Sequence, residues 1–479
     1  EAVLFYIDGR KIHRKSGVFM AVKMNRHKID MVHGSIWDKL PMFALPVAAT
    51  AILEQLFNAS DIAVVGNFTG ADSTVAVAAV GANSPLISLI LNLFIGIALG
   101  ANVVIANAVG RKDRETVHRT VHTAILMALA GGVIVAVIGE IVIGEALQLL
   151  NVPADVYPLA LLYIRIYLIG MPAILLYNFE AAIFRSIGET RVPLLALSLA
   201  GVLNVILNLF FVIVLHMTVN GVAIATVLSN IVSSLILLCK LMRTDRDAHV
   251  NLQDIRFYRD SFIKIMRIGM PAGIQSAVFA VANIVIQSAI NSLGTVVIAA
   301  SSAAYNIEIF AYDILNSFSQ ACTTFVGQNY GAGKIGRCKK ILKLCLIEDA
   351  IASALSILLI LLAGRSLLAV FNNNPEVIDT GYTRLVIIFI AYIFSMLYEV
   401  MSGYLRGFGI SLTLAIITTV CVCGVRILWI HLVFPLHRNF QTIMTAFPIS
   451  LALTAICIFI AMMIYRPSRK LAVRSTTGE

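Results

Sequence analysis

The first long apolar segment of this 479-residue chain carries three polar side chains that could bind a cation. Glu54, Asn58 and Asp61 are spaced at i, i+4 and i+7, which places them on one face of a helix. A carboxylate at the centre of a membrane span costs about 2.5–3.5 kcal/mol, so these groups need partners or a water-filled cavity. The alternative is that Asp61 caps the helix at the membrane interface. The apolar run after Asp61 argues against a cap, because it places the residue about 10 Å below the end of the span.

Two later segments carry polar residues at a similar depth. Asn204 and Asn208 are one helical turn apart, and Asn208 lies about 12 Å below the end of its segment. Thr226 lies early in the next segment, which returns from the same membrane surface. Depth therefore places Asp61, Asn208 and Thr226 at a similar level in the outer half of one bundle. Hydrogen bonding between helices is the alternative role for the two asparagines.

The second half of the chain offers a less concentrated set of polar residues. We interpret four of them as candidates for a substrate cavity: Asn283, Gln287, Glu308 and Asp313. Pairing of the two carboxylates with Arg426 or Arg165 is an equally good structural explanation. The acidic and amide residues of the first half have no counterparts at equivalent positions in the second half. The sequence therefore predicts that cation binding is concentrated in the first half.

The elements that carry these residues are predicted to be twelve membrane-spanning helices, which makes the fold all-α. Hydrophobic residues make up 59% of the chain and charged residues 13%, a composition that excludes a soluble enzyme. The apolar runs are continuous and about 20 residues long, which is typical of spanning helices rather than of barrel strands. The predicted spans are 40–67, 76–103, 120–142, 157–180, 192–216, 221–241, 261–291, 296–325, 341–363, 382–404, 410–434 and 442–465.

The net charge of +10 follows membrane topology and does not indicate a nucleic-acid surface. All but five of the 36 Lys and Arg residues lie before the first span, in the even-numbered connections or after the last span. This alternation follows the positive-inside rule and predicts that both termini face the cytoplasm. The sequence thus predicts a multi-pass protein of the plasma membrane, whose partners are lipid and small molecules and not nucleic acid.

The chain repeats itself at an offset of about 221 residues. Apolar stretches end at Gly110 and Gly331, each followed by a basic cluster, and Phe184-Arg185-Ser186-Ile187-Gly188 corresponds to Leu405-Arg406-Gly407-Phe408-Gly409. Six spans in each repeat return the chain to the same face, so the repeats are parallel. The predicted organisation is a cytoplasmic N-terminal tail (1–39), an N-lobe bundle of six helices (40–241), a cytoplasmic linker (242–260), a C-lobe bundle of six helices (261–465) and a cytoplasmic tail (466–479).

Several motifs resemble those of the multidrug and toxic compound extrusion (MATE) transporters over about residues 34–465. In chain order they are Gly34-Ser35-Ile36-Trp37, Ala44-Leu45-Pro46, Asp61-Ile62-Ala63-Val64-Val65-Gly66, Phe184-Arg185-Ser186-Ile187-Gly188-Glu189-Thr190, Gly221-Val222-Ala223-Ile224-Ala225-Thr226, Thr324-Phe325-Val326-Gly327-Gln328-Asn329-Tyr330-Gly331-Ala332-Gly333 and Leu405-Arg406-Gly407-Phe408-Gly409. The resemblance implies two six-helix bundles around a V-shaped cleft that opens alternately to either side of the membrane. It also implies efflux of drugs, often organic cations, driven by inward sodium or protons.

The same resemblance implies a cation site in the N-terminal lobe, formed by Asp61, Asn204, Asn208 and Thr226. This chain departs from the family pattern at Asn208, where the matching site often has a second aspartate. The departure lowers the negative charge available to a metal cation. The sequence therefore favours protons as the coupling ion, with Na⁺ held by Asp61 and neighbouring oxygens as the alternative. Glu54, deeper on the same helix face as Asn58, could relay or share the charge.

We therefore predict a monomeric, cation-coupled antiporter that exports amphipathic organic cations by alternating access. It needs no cofactor other than the coupling H⁺ or Na⁺, and it is not an enzyme. The alternative is a flippase for lipid-linked precursors in the same fold superfamily. That class would need a cavity rich in Arg and Lys, whereas only Arg165 and Arg426 lie clearly within spans. No GxxxxGK[ST] motif is present, which argues against direct drive by ATP.

Overall fold

The computed structural model describes residues 28–70, 73–150, 152–244 and 248–467, which form helices joined by short connections. Most of the two predicted tails lies outside these residues. No strand occurs in the part of the chain that the structure describes. Its α-helices are α1 Lys39–Phe68, α2 Ser73–Arg111, α3 Arg114–Leu149, α4 Tyr157–Ile169, α5 Met171–Ser186, α6 Arg191–Leu209, α7 Val219–Met242, α8 Arg259–Asn291, α9 Thr295–Gly331, α10 Ile335–Phe371, α11 Pro375–Gly407, α12 Leu412–Thr418, α13 Val425–Leu432 and α14 Phe440–Tyr465.

The described residues contain twelve membrane spans, as the sequence predicts. Eleven helical stretches are long and apolar enough to cross a membrane, and α4 with α5 forms a twelfth span that is bent by 52°. Pro172 follows the bend, where proline removes a backbone N–H and its ring clashes with the preceding turn. Helix α3 lies tightly against the bend, because a Cβ atom on Gly132 would lie 2.4 Å from the Cα of Pro172.

Several helices extend past their predicted spans. Hydropathy predicts the second span over 76–103, but α2 continues to Arg111. It predicts the eighth span over 296–325, but α9 continues to Gly331. The added turns contain Asn107 and Gln328, which are buried against protein rather than exposed to lipid. Hydropathy therefore locates the lipid-embedded part of a helix and misses the polar turns that continue it.

The two halves of the chain meet through closely packed glycines of α2 and α9. A Cβ atom on Gly110 would lie 2.0 Å from the carbonyl oxygen of Gln328, and one on Gly331 would lie 2.0 Å from that of Asn107. Positions 107 and 328 differ by the same offset as the two glycines, so the two contacts are equivalent under the repeat. Small residues allow such an approach of helix backbones inside a membrane. The sequence repeat is thus visible as a symmetric contact between the halves.

Residues 28–38, which we call the terminal strap, cross the end of the molecule at which the first and last described residues lie. We call this end the terminal face. The N–H of Ile29 donates to the carbonyl oxygen of Gly188, in the connection between α5 and α6. The side chain of Asn329 in α9 donates to the carbonyl oxygen of Met31, whose side chain is fully buried. Gly188 and its repeat equivalent Gly409 both have positive φ angles, +87° and +84°. The strap therefore joins the two halves on the terminal face.

Candidate cation-binding site

Asp61 lies in the interior of the first half, on α1, and is 4% exposed. One carboxylate oxygen, Oδ1, accepts a hydrogen bond from the Asn208 amide nitrogen at 2.6 Å. The other, Oδ2, accepts a hydrogen bond from the Thr226 hydroxyl at 2.9 Å. The structure thus brings together side chains from α1, α6 and α7 that the sequence placed at one depth.

Asn204 completes the arrangement. Its Oδ1 accepts a hydrogen bond from Asn208 Nδ2 at 3.1 Å, and its Nδ2 donates to Thr226 Oγ1 at 3.3 Å. Both asparagines are buried, and Thr226 is half-buried. We call the four residues Asp61, Asn204, Asn208 and Thr226 the Asp61 cluster. They form one continuous hydrogen-bonded network around a single carboxylate.

The local fold of α6 and α7 positions three members of the cluster. Helix α6 ends just after Asn208, and the chain continues as a π-helical turn over Phe210–Val214. A short connection then returns the chain into α7, which packs beside α6. Single π turns within helices frequently accompany functional sites. Antiparallel packing of the two helices places Thr226, early in α7, opposite the last turns of α6.

No cationic side chain pairs with Asp61 among the described residues. The charge of Asp61 acts on the hydroxyl groups of Tyr163 and Tyr167 in α4, whose rings stack with centroids 6.2 Å apart. A buried carboxylate without a counter-ion favours uptake of a cation. The sequence analysis missed both tyrosines. Their i, i+4 spacing within an apolar segment is the signal that identifies them.

The Asp61 cluster contains the oxygen atoms that a small cation needs. Asn208 Oδ1 is buried and has no hydrogen-bond partner among the described residues. An unpaired buried acceptor costs about 1–3 kcal/mol, and this one belongs to the residue that contacts Asp61. Carboxylate, amide and hydroxyl oxygens suit a proton or Na⁺. By contrast, the described part of the chain brings no three His, Cys, Asp or Glu side chains together as a metal site.

The other two polar residues of α1 lie outside the Asp61 cluster. Asn58 is exposed and Glu54 is half-buried. The charges that act on Glu54 are those of Arg185 in α5 and Asp313 in α9, so its carboxylate lies at the boundary between the halves. The polar face predicted for α1 is therefore divided. Asp61 belongs to the interior of the first half, and Glu54 belongs to its border with the second.

Comparison with known proteins decides the family. The MatE family model matches residues 46–210 and 271–430, one stretch in each half of the chain. The chain belongs to the MatE family. The resemblance of its motifs to MATE transporters is thereby confirmed, and the repeat in the sequence corresponds to the two matched stretches.

Relatives and solved structures agree with this family. The chain is 26% identical over 403 residues to the probable multidrug resistance protein YoeA of Bacillus subtilis. This alignment covers 82% of this chain and 86% of the relative. It is 24% identical over 357 residues to an FAD transporter of Shewanella oneidensis, covering 71% and 78%. A multidrug resistance MATE transporter in an outward-facing conformation matches with a TM-score of 0.83 at 21% identity, covering 92% of this chain and 98% of the other. The predicted fold, two parallel six-helix repeats around a V-shaped cleft, is confirmed.

In this MatE transporter, the candidate cavity residues of the second half do not form one group. Asn283 and Gln287 are exposed on α8, and Gln287 donates a hydrogen bond to Asn291 at 2.8 Å. Asp313 on α9 is buried, and its Oδ2 has no hydrogen-bond partner within the described chain. Its charge acts on Glu54. Asp313 is therefore the candidate that connects to the polar residues of the first half.

Glu308 is committed to an ion pair inside the second half. Arg384 of α11 donates to its carboxylate from Nε at 3.0 Å and from Nη2 at 2.6 Å, and both side chains are 6% exposed. The sequence proposed Arg426 or Arg165 as the partner, and this prediction was wrong. Arg426 donates a hydrogen bond to Ser450 of α14, and Arg165 pairs with Glu140 of α3. The predicted span begins at residue 382 and places Arg384 at its edge. In the structure α11 begins at Pro375, nine residues before Arg384, so Arg384 lies in the interior of the helix bundle.

Breaking this pair should destabilise the protein. We expect Glu308→Gln to lower the free energy of unfolding by about 3–5 kcal/mol, because it leaves the Arg384 charge buried without compensation. Thermal unfolding of the purified protein in detergent measures the loss. Asp379→Asn is the matched control, since it breaks an exposed pair with Arg365 that should contribute about 0–1 kcal/mol. Equal losses in the two variants would contradict the structural role of Glu308.

Proposed function

We propose that this protein is an antiporter that exports amphipathic organic cations and takes up H⁺ or Na⁺ in exchange. The observation that carries the proposal is the Asp61 cluster, a buried carboxylate held by neutral partners inside a membrane-spanning bundle. Acidic residues within membrane spans are costly and mark ion pathways in transporters. A relative named as a probable multidrug resistance protein supports drugs as the exported cargo.

The contacts between the halves support alternating access. The glycine contacts of α2 with α9 and the terminal strap close the terminal face in this conformation. Asp61 lies seven residues before the end of α1 at Phe68, so it is about 10 Å from the opposite surface. A rocking motion of one half against the other would close that surface and open the terminal face. The coupling cation would then enter from one side and leave toward the other.

The hydrogen bonds of Thr226 support a proton as the coupling ion. Its hydroxyl oxygen lies 2.9 Å from Asp61 Oδ2 and 3.0 Å from the carbonyl oxygen of Val222, so its single proton has two acceptors. When Asp61 is ionised, the hydroxyl donates to Oδ2. When Asp61 is protonated, its O–H donates to Thr226, and Thr226 donates to Val222. The cluster thus accepts a proton without displacement of a heavy atom.

Sodium is the alternative coupling ion. Na⁺ needs several oxygen atoms directed toward it, whereas the amide nitrogens of Asn204 and Asn208 take part in the hydrogen bonds of the cluster. Binding of Na⁺ would require the Asn208 amide to rotate, so that its unpaired Oδ1 replaces the nitrogen beside Asp61. This required rearrangement favours the proton.

We also infer a plasma-membrane location with the terminal face in the cytoplasm. The basic residues concentrate in the connections on this face, as the positive-inside rule requires. The linker 242–260 between the two bundles would then be cytoplasmic. The Asp61 cluster would lie nearer the outer surface, where the coupling cation enters. One chain supplies both bundles, so the proposed functional unit is a monomer.

A flippase for lipid-linked precursors has less support. Arg165 lies 3.2 Å from Glu140, and Arg426 donates to Ser450 while its guanidinium lies 4.1 Å from the ring centroid of Phe447. Both arginines are thus engaged by neighbouring side chains. A flippase would need such groups to be available for the pyrophosphate of its lipid. Their engagement favours a cationic cargo.

Transport in proteoliposomes tests the proposal and its coupling ion together. Vesicles loaded with an organic cation such as ethidium receive either an inward pH gradient without Na⁺ or an inward Na⁺ gradient at equal pH. We expect efflux under the pH gradient, because the Asp61 cluster accepts a proton with less rearrangement than Na⁺. Efflux only under the Na⁺ gradient would overturn the proton assignment. Vesicles that transport FAD and not the organic cation would contradict the proposed cargo.

A further inference from the structure

A second carboxylate lies buried in the first half, outside the Asp61 cluster. Glu180 of α5 has no exposed surface, and neither of its carboxylate oxygens has a hydrogen-bond partner among the described residues. It lies six residues before the end of α5, about 9 Å from the end nearest the terminal face. Its neighbours in sequence, Phe179 and Ala181, belong to the apolar core of the first half, together with Leu237 of α7.

The surroundings of Glu180 do not compensate an ionised carboxylate. The titratable groups that interact with it are the thiol of Cys239 on α7 and the hydroxyl of Tyr177 on α5 itself. Helices α2, α3, α4 and α6 also pack against α5, and in their described parts none contributes a charge that acts on Glu180. An unpaired ionised carboxylate in an apolar interior costs several kcal/mol. Burial without hydrogen-bond partners therefore favours the neutral, protonated form of Glu180 in this conformation.

The helix that carries Glu180 ends at contacts that join the two halves. Two residues later, the carbonyl oxygen of Ala182 accepts a hydrogen bond from the Asn102 amide at 3.1 Å. The Oδ1 of Asn102 in turn accepts a hydrogen bond from Thr324 of α9 at 3.1 Å. At the end of α5, the carbonyl oxygen of Ser186 accepts a hydrogen bond from a glutamine of α9 at 2.7 Å. The last turns of α5 thus form part of the closed contact on the terminal face.

We propose that Glu180 is a proton-binding site, separate from the Asp61 cluster, whose protonated form stabilises the closed terminal face. Opening of this face admits water to the last turns of α5. Water stabilises the ionised carboxylate, which releases its proton to the solvent on that side. Opening is therefore linked to the release of one proton, and closing to the uptake of one. The inference rests on the alternating access proposed above and adds a protonation step on the side opposite to Asp61.

Hydrogen–deuterium exchange of the full chain in lipid nanodiscs tests this site without any transport step. Amides at the ends of α5 and α9 are followed from mildly acidic to mildly alkaline pH, and each rate is divided by its intrinsic rate. In the wild type, the equilibrium constant for opening should increase by up to about tenfold for each unit of rising pH, because opening releases one proton. Glu180→Gln is neutral at every pH and should lose this dependence. An unchanged pH dependence in Glu180→Gln would overturn the proposal.

Two further variants keep the test decisive. Glu180→Asp retains a titratable carboxyl and should retain the pH dependence with a shifted midpoint. If Glu180→Gln fails to fold, loss of the dependence in Glu180→Asp would overturn the proposal. Asp61→Asn should retain the pH dependence of opening, because Asp61 belongs to a separate site. If Asp61→Asn loses this pH dependence, the released proton belongs to Asp61 and the proposal is overturned. Failure of the proposed antiport would appear in the vesicle experiment and would leave these exchange results unaffected.

Discussion

Replacement of Asp61 by asparagine is expected to reduce coupled efflux to the level of empty vesicles while the protein still folds. Asparagine has nearly the same shape as aspartate and can still bond Asn208 and Thr226. It neither takes up a proton nor carries the charge that would hold Na⁺. It also removes a buried charge from a membrane span, so the variant should fold at least as well as the wild type. Efflux from vesicles and drug resistance of producing cells measure the effect.

Asp379→Asn is the control for this substitution. It makes the same chemical change at an exposed site on α11, where the carboxylate pairs with Arg365. We expect this variant to transport at the wild-type rate. Normal drug resistance in cells that produce folded Asp61→Asn protein would refute the assignment of Asp61 as the coupling residue.

Gly110→Val is expected to have the second largest effect, through the contact between the halves. A Cβ atom at this position would lie 2.0 Å from the carbonyl oxygen of Gln328, so α2 and α9 must separate to accommodate it. Overpacking of this kind costs about 1–3 kcal/mol. That cost corresponds to a roughly 5- to 150-fold loss in the population of the closed terminal face. The transport rate should fall as the population of the closed terminal face falls, because alternating access requires this face to close.

The matched control is Gly81→Val on the same helix, where no atom lies within 4 Å of the added Cβ. Both variants are compared by vesicle efflux and by hydrogen exchange of the amides at the end of α9. We expect faster exchange and slow efflux in Gly110→Val and wild-type behaviour in Gly81→Val. Wild-type transport by Gly110→Val would contradict a functional role for the closed contact.

The Asp61 cluster could be predicted from the sequence, because span boundaries give the depth of each residue along the membrane normal. Asp61, Asn208 and Thr226 lie at one depth on three consecutive segments of one bundle, and the structure joins them by hydrogen bonds. The twelve spans and the parallel repeat follow from the same information, since hydropathy and basic residues both alternate along the chain. Linear patterns of this kind determine which helices exist and how deep each residue lies.

Contacts between the faces of neighbouring helices could not be predicted from depth. Depth does not show how a helix is rotated, so Asn58 was grouped with Asp61 although its side chain is exposed. It also does not show which helices are neighbours. The pairing of Glu308 with Arg384 depends on the packing of α9 against α11, which lie two connections apart. Glu180 was overlooked because a single carboxylate in an apolar segment gives no periodic pattern.

Proton movement driven by a substrate gradient tests the central claim most directly. Proteoliposomes hold a pH-sensitive dye, and an outward gradient of an organic cation is imposed without Na⁺ and without an initial pH difference. The wild-type protein should move protons inward as the organic cation leaves, and Asp61→Asn should move none. Proton movement by Asp61→Asn equal to that of the wild type would contradict the coupling role of the Asp61 cluster.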